Sequence, residues 1–395
     1  MTILQNIPPF KADVVGSYLR PDYLTTARSQ FRQGLITQQA LQQIEDKAIT
    51  ELVQKQKAIG LKVITDGEFR RSWWHLDFMW GLEGVEKADI QKGYQFHGIE
   101  TRPETARLTG KIFCADHPFL DHFKFLLTLS DESVCPRITI PSPAQFFKEL
   151  YRPENRSATE QFYPNQDDLF TDIANAYQTF IKAAYDLGCR NVQLDDCTWG
   201  MMVDSRYNNA GVSKWEATPA HSCPHCNDTP STEITDSIQE LAEICLDLNN
   251  RAVVNIADDL VITTHVCRGN YRSNWAASGG YAPVAPYLFA KENVHAYYLE
   301  YDTERSGDFS PLAQVSDNKY VVLGLISSKT GELEDKQTVI NRIKEASKYV
   351  PLDRLCLSTQ CGFASTEEGN ALTEKQQWDK IALVIDIAKT VWGKV

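Results

Sequence analysis

The stretch Gln166–Leu194, QDDLFTDIANAYQTFIKAAYDLGCRNVQL, decides the fold. Its first part, Gln166–Leu187, places apolar residues at helical spacing, and a short apolar run, Asn191–Leu194, follows almost at once. A helix feeding a short buried strand is the repeating unit of a parallel sheet covered by helices. Outward from this unit the alternation recurs in both directions. Strands are expected at Ala12–Gly16, Val63–Asp66, Arg137–Ile140, Asn191–Leu194, Val261–Thr264, Ala296–Leu299, Tyr320–Gly324 and Leu355–Leu357. Helices are expected at Thr37–Ile59, Gln166–Leu187, Ser237–Ala257, Glu334–Lys348 and Thr373–Trp392. Such a series of strands with helical crossovers predicts an α/β chain closed into one (β/α)8 TIM barrel over residues 1–395, because an open sheet would leave two edges to protect.

Two stretches depart from the repeat. Met79–Cys135 carries aromatics, Gly and alternating polar residues with little helical period, so a β-rich insertion over about residues 79–135 is expected after the second strand. Asn208–Thr232, with its Pro, Ser, Thr, His and Cys, reads as a long loop after the fourth strand.

Composition narrows the function. The chain has 395 residues with 40 Lys+Arg against 52 Asp+Glu, a formal charge of −12, which disfavours a basic nucleic-acid or membrane-surface binder. The start, MTILQNIPPFK, shows no basic segment leading into an apolar core, and no later apolar run approaches the ~18 residues that span a bilayer, so a cytoplasmic protein is expected. Ten cysteines are too sparse for a disulfide-stapled scaffold of this length and point instead to packing or metal chemistry. Neither GxxxxGK[ST] nor GxGxxG occurs, so nucleotide chemistry has no support.

In a barrel of this kind the active site forms at the C-terminal ends of the strands. There the chain places Thr264-His265-Val266-Cys267-Arg268-Gly269, Glu300-Tyr301-Asp302 and Ser358-Thr359-Gln360-Cys361-Gly362. Residues two apart on extended chain share a face, so His265 and Cys267 point together, and Glu300 and Cys361 approach from other strands. Imidazole, thiolate and carboxylate are the donors that zinc prefers. A His-x-Cys pair alone more often packs than binds metal, but three matching strand ends shift the reading toward a metal.

Six segments in order, Val14-Val15-Gly16-Ser17, Asp66-Gly67-Glu68-Phe69, Val192-Gln193-Leu194-Asp195-Asp196, Thr264-His265-Val266-Cys267, Leu299-Glu300 and Gln360-Cys361-Gly362, resemble the catalytic barrel of cobalamin-independent methionine synthase over nearly the whole chain. The resemblance implies that His265, Cys267, Glu300 and Cys361 bind zinc, that Glu68 and Asp195 hold the ammonium of homocysteine, and that Ser17 with nearby N–H groups holds its carboxylate. It implies transfer of a methyl group, from methyltetrahydrofolate, to the homocysteine thiol, giving methionine. A free thiol near pKa 8.5 is mostly protonated at neutral pH, and coordination to zinc removes that proton.

The chain departs from the family in two ways. It has no room for the additional N-terminal barrel of the full-length enzymes, so it resembles the shorter, single-barrel relatives. The family's proton-donating histidine, expected after the seventh strand, has no counterpart in Gly324-Leu325-Ile326-Ser327-Ser328-Lys329.

Other residues carry weaker signals. Asp196 suits proton transfer, the start of a helix or the holding of an arginine. Arg70 and Arg71 suit surface ion pairing ahead of a contact with a carboxylate of substrate or donor, and Trp73, Trp74, Phe146, Phe147 and Trp199 suit packing or stacking on a pterin ring. Cys223-Pro224-His225-Cys226, with His221 nearby, reads as a loop with free thiols or as a second structural zinc site. Rival readings of the whole are a corrinoid-linked methyltransferase of the same barrel, a metal-free decarboxylase similar to uroporphyrinogen decarboxylase, and a non-catalytic zinc or amino-acid binder.

Overall fold

The computed structural model describes the backbone of residues 7–204 and 233–395, and the side chains of 7–204 and 238–395. In chain order its strands are β1 Val63–Ile64, β2 Glu83–Asp89, β3 Gln95–Phe96, β4 Ile99–Glu100, β5 Glu104–Phe113, β6 Cys135–Pro136, β7 Ile138–Pro141, β8 Asn191–Asp195, β9 Val261–Val266, β10 Ala296–Glu300, β11 Tyr320–Ile326 and β12 Leu355–Thr359. Strands β7 to β12 form one parallel six-stranded sheet in sequential order. Every residue of β8, β9 and β10 is buried, as expected of a parallel sheet covered on both faces. The register sets Asp195 and Tyr298 on either side of His265.

The helices between these strands have local causes. Thr37 caps Gln38–Ile59 and Gly60 ends it in the left-handed conformation, at φ +98°. Asn165 caps Gln166–Leu187, and a capping box of Thr373 and Gln376 starts Glu374–Trp392. Among the described residues no helix is long and apolar enough to cross a membrane.

The expected first strand, Ala12–Gly16, is not a strand. It makes only isolated parallel bridges, Ala12 with Leu357 and Ser17 with Gly67. Side chains take the groups a ladder would use. The Asp13 carboxylate accepts from the N–H groups of Phe10 and Val14, while Arg137 and Gln193 donate to the carbonyls of Val14 and Val15. The second strand shrinks to β1, which pairs in parallel with β6, and only Arg137 separates β6 from β7.

After β1 the chain forms β2 and β5 as an antiparallel pair and β3 and β4 as a short second pair. It also contains an unexpected helix, Pro118–Thr128, capped by His117. Its buried residues Phe119, Phe123 and Leu126 stand at spacings of four and three, a helical stripe hidden among the aromatics of the stretch. The expected loop Asn208–Thr232 and the Cys223–Cys226 motif with His221 lie outside the described residues.

Candidate active site and metal centre

A cavity of about 190 Å³ opens beyond the C-terminal ends of the sheet. His265, in β9, and Cys267, one residue past it, face this cavity together with Cys361, two residues past β12. One donor atom from each of the three lies within 4.8 Å of the other two, and all three side chains are buried. His265 Nε2 is 3.3 Å from Cys361 Sγ, and its other ring nitrogen is 3.2 Å from the carbonyl oxygen of Tyr298. A proton on Nδ1 donated to that carbonyl leaves the Nε2 lone pair facing the sulfurs, the tautomer a metal ligand requires.

Glu300, the last residue of β10, lies beside this group but outside the three-atom set. Its Oε2 accepts from the Arg268 N–H at 2.9 Å, and its Oε1 is 2.7 Å from the Arg305 guanidinium while having no hydrogen-bond partner of good geometry. That buried oxygen, two cysteines and an imidazole with a free lone pair fit a zinc ion chemically.

The charges are mutually dependent. Cys267 is held well below the ordinary thiol range by hydrogen bonds with Cys197 and Cys361, which are themselves pushed up as its partners. Burial opposes a charge on His265, but the hydrogen bond and charge of Cys267 outweigh it and raise the imidazole. Burial likewise opposes ionisation of Glu300, and Lys329, Arg305 and Arg268 overcome it and lower its carboxyl.

Ser17, Glu68 and Asp195 line the same cavity. Ser17 Oγ accepts from the Ala364 N–H at 3.2 Å, which leaves its own proton available. Gly362 must be glycine here, since a Cβ would stand 2.0 Å from that hydroxyl. Glu68 holds a left-handed backbone, φ +62°, which is rare for a residue with a side chain and costs on the order of 1 kcal/mol or more. Its Oε1 accepts from Thr139, and its Oε2 is buried without a partner. Asp195 accepts from Gln193 at 2.8 Å and is pushed up to about 7 by burial, with the Glu68 charge adding and His265 opposing. Two buried carboxyls, one of them with an unpartnered oxygen at Glu68, form a site that a ligand cation would complete.

Asp196 turns away from the cavity. It accepts from the Thr198 backbone N–H at 2.9 Å, from the Thr198 hydroxyl and from Asn249 at 2.8 Å, at the start of the helix Thr198–Met202. Arg70 pairs with Glu45 and Asp46, and Arg71 with Glu68. Trp73 and Trp74 line the cavity, whereas Phe146, Phe147 and Trp199 are core residues.

Two residues escaped the sequence reading. Cys197 places its Sγ 3.0 Å from Cys267 Sγ, although nothing in Asp195-Asp196-Cys197 advertises a partner 70 residues away. Lys329, after β11, buries an Nζ that has no hydrogen-bond partner, and its charge acts on Glu300, Asp302 and Cys361. A lysine where the family histidine was sought was the available signal.

Comparison with known proteins bears on the whole chain. The family described as cobalamin-independent synthase, catalytic domain, matches residues 10–102. The uncharacterised protein YxjH of Bacillus subtilis is 45% identical over 98% of this chain and 96% of its own. A Listeria monocytogenes protein, provisionally assigned as a vitamin-B12-independent methionine synthase, has a crystal structure that is 36% identical, covers 98% of this chain and 99% of its own, and superposes with a TM-score of 0.71. The chain belongs to the cobalamin-independent methionine synthase family. It is an enzyme of the methyltransferase class. A B12-independent methionine synthase from Shewanella sp. W3-18-1, solved with selenomethionine, shares the fold at a TM-score of 0.69 with 18% identity, covering 96% of this chain and 97% of its own.

Proposed function

We propose that this methionine synthase relative is a zinc-dependent enzyme that transfers a methyl group from 5-methyltetrahydrofolate to the thiol of homocysteine, forming methionine in the cytoplasm. The observation that carries the reading is the meeting of His265, Cys267 and Cys361 in one cavity with Ser17, Glu68 and Asp195. That arrangement offers a thiol-binding end and an amino-acid-binding end in one space.

We take the architecture to be a single (β/α)8 barrel with an insertion at about 79–135. The bridges Ala12–Leu357 and Ser17–Gly67 support closure, since they join the N-terminal segment both to β12 and to the turn after β1.

His265, Cys267, Cys361 and Glu300 would hold a zinc ion, which would supply the Lewis acidity to ionise a thiol near neutral pH. The protein's own groups do the remaining work. Glu68 and Asp195 receive the ammonium, and the Ser17 hydroxyl donates to the carboxylate. This fixes the homocysteine sulfur at the metal end of the cavity. Trp74, Tyr94, Phe96 and Tyr271 line the same cavity and suit a flat heteroaromatic donor. In the transfer a carbon–sulfur bond forms as the methyl–nitrogen bond breaks, and the nitrogen keeps the electron pair and takes a proton.

The test offers zinc-loaded protein L-homocysteine with 5-methyltetrahydrofolate, with methylcobalamin and with a simple methyl donor. Methionine forms with the folate. Formation only with methylcobalamin would move the donor to the corrinoid class, and no methionine with any donor would defeat the proposal.

A further inference from the structure

We propose that Cys197 and Cys267 are a peroxide-responsive thiol pair whose closure to a disulfide withdraws Cys267 from the metal-binding set. The two sulfurs lie 3.0 Å apart. Two sulfurs sharing one tetrahedral zinc at ~2.3 Å would stand ~3.8 Å apart, while a disulfide needs about 2.05 Å, so closure requires a movement of roughly 1 Å. Cys197 is absent from the donors within 4.8 Å of one another, which are His265, Cys267 and Cys361. It therefore flanks Cys267 without sharing the metal position.

The backbone holds the pair in register. Cys197 immediately precedes the helix Thr198–Met202, and a Cβ at Gly200 in that helix would stand 2.1 Å from the Cys267 carbonyl oxygen. Only a glycine lets the helix lie this close to Cys267. Both cysteines line the cavity, so a small hydroperoxide reaches them by the route the substrate takes.

The chemistry balances with a hydroperoxide as the oxidant. The Cys267 sulfur attacks the outer peroxide oxygen and breaks the O–O bond, giving a sulfenic acid and, after proton uptake, an alcohol, or water if the oxidant is hydrogen peroxide. The Cys197 thiol then attacks the Cys267 sulfur. The S–S bond forms, and the hydroxyl leaves with the thiol proton as water. Two thiols lose two electrons and the peroxide gains them, and a low-molecular-weight thiol reverses the exchange. Metal release rests on the zinc reading above, but disulfide formation does not.

The test treats full-length, zinc-loaded wild type and Cys197→Ser with hydrogen peroxide. Zinc release is followed with a chromophoric chelator, and peptides are mapped by mass spectrometry. In wild type a Cys197–Cys267 cross-linked peptide appears in step with zinc release, and dithiothreitol removes it. Cys197→Ser loses zinc at least about tenfold more slowly. Equal rates in the two proteins, or a cross-link from Cys267 to Cys361 in place of Cys197, would overturn the proposal. If wild type holds no zinc, the zinc reading fails, and the cross-linked peptide decides this proposal by itself.

Discussion

His265, Cys267 and Cys361 ride on or just beyond β9 and β12, and the ladder that runs from β9 through β10 and β11 to β12 brings these distant residues to one cavity. Ser17 and Glu68, which line the same cavity, sit on backbone outside the sheet, held by Ala364 and Thr139 and, at Glu68, by a left-handed conformation. The proposed metal ligands, separated by up to 96 residues, gain their precision from a rigid ladder. Groups that embrace a small polar ligand gain theirs from side-chain to backbone hydrogen bonds. The first kind of site should fail completely when one donor is lost, and the second by degrees.

The largest expected effect tests the regular side. Cys361→Ser should lower zinc affinity by more than about 100-fold and remove methionine formation, read by metal analysis after dialysis and by turnover. Retention of a full zinc complement would show that the ladder does not assemble the metal set. Glu68→Gln probes the irregular side. Losing a charged hydrogen-bond partner for the ammonium costs about 1.5–3 kcal/mol, so KM for homocysteine should rise by about 10- to 100-fold while zinc content stays at the wild-type value. A loss of zinc in this variant would erase the distinction between the two sides.

A third prediction concerns the ground beneath both. Glu292 accepts from Asn249, which also donates to Asp196, and burial pushes its carboxyl up to about 8. A carboxyl raised in the fold favours the native state fully below its unfolded value, and that contribution is lost as pH climbs from about 4.3 toward 8. Glu292→Gln should therefore flatten the fall in stability across this window, gaining on the order of 1–2 kcal/mol at pH 9 relative to wild type, measured by denaturant unfolding. An unchanged slope would place the pH sensitivity elsewhere. The smallest effect is expected far from the cavity: Thr373→Ala removes a capping box and should cost about 1 kcal/mol with neither KM nor zinc content altered.

The same contrast explains what could be read in advance. Strands β7 to β12 and the residues at their ends were legible because a buried parallel strand is a short apolar run, and the polar residues that follow it stand out. Ala12–Gly16 looked equally apolar. Its ladder was pre-empted by Asp13, Arg137 and Gln193, two of which lie more than a hundred residues away. The helix Pro118–Thr128 is hard to read in the sequence because its stripe of Phe119, Phe123 and Leu126 stands among the other aromatics of the stretch. Glu68 was legible as a carboxylate at a strand end, but its strained backbone was not. Cys197 was beyond reach for a different reason: a sulfur's partner across a parallel sheet depends on register, and register is a property of the assembled fold.

The most direct test of the account is X-ray absorption at the zinc edge of the purified protein, before and after homocysteine is added. One zinc per chain bound by two sulfurs with nitrogen and oxygen, rising to three sulfurs with homocysteine, is the predicted result. A zinc without sulfur ligands, or a sulfur count that homocysteine leaves unchanged, would contradict it.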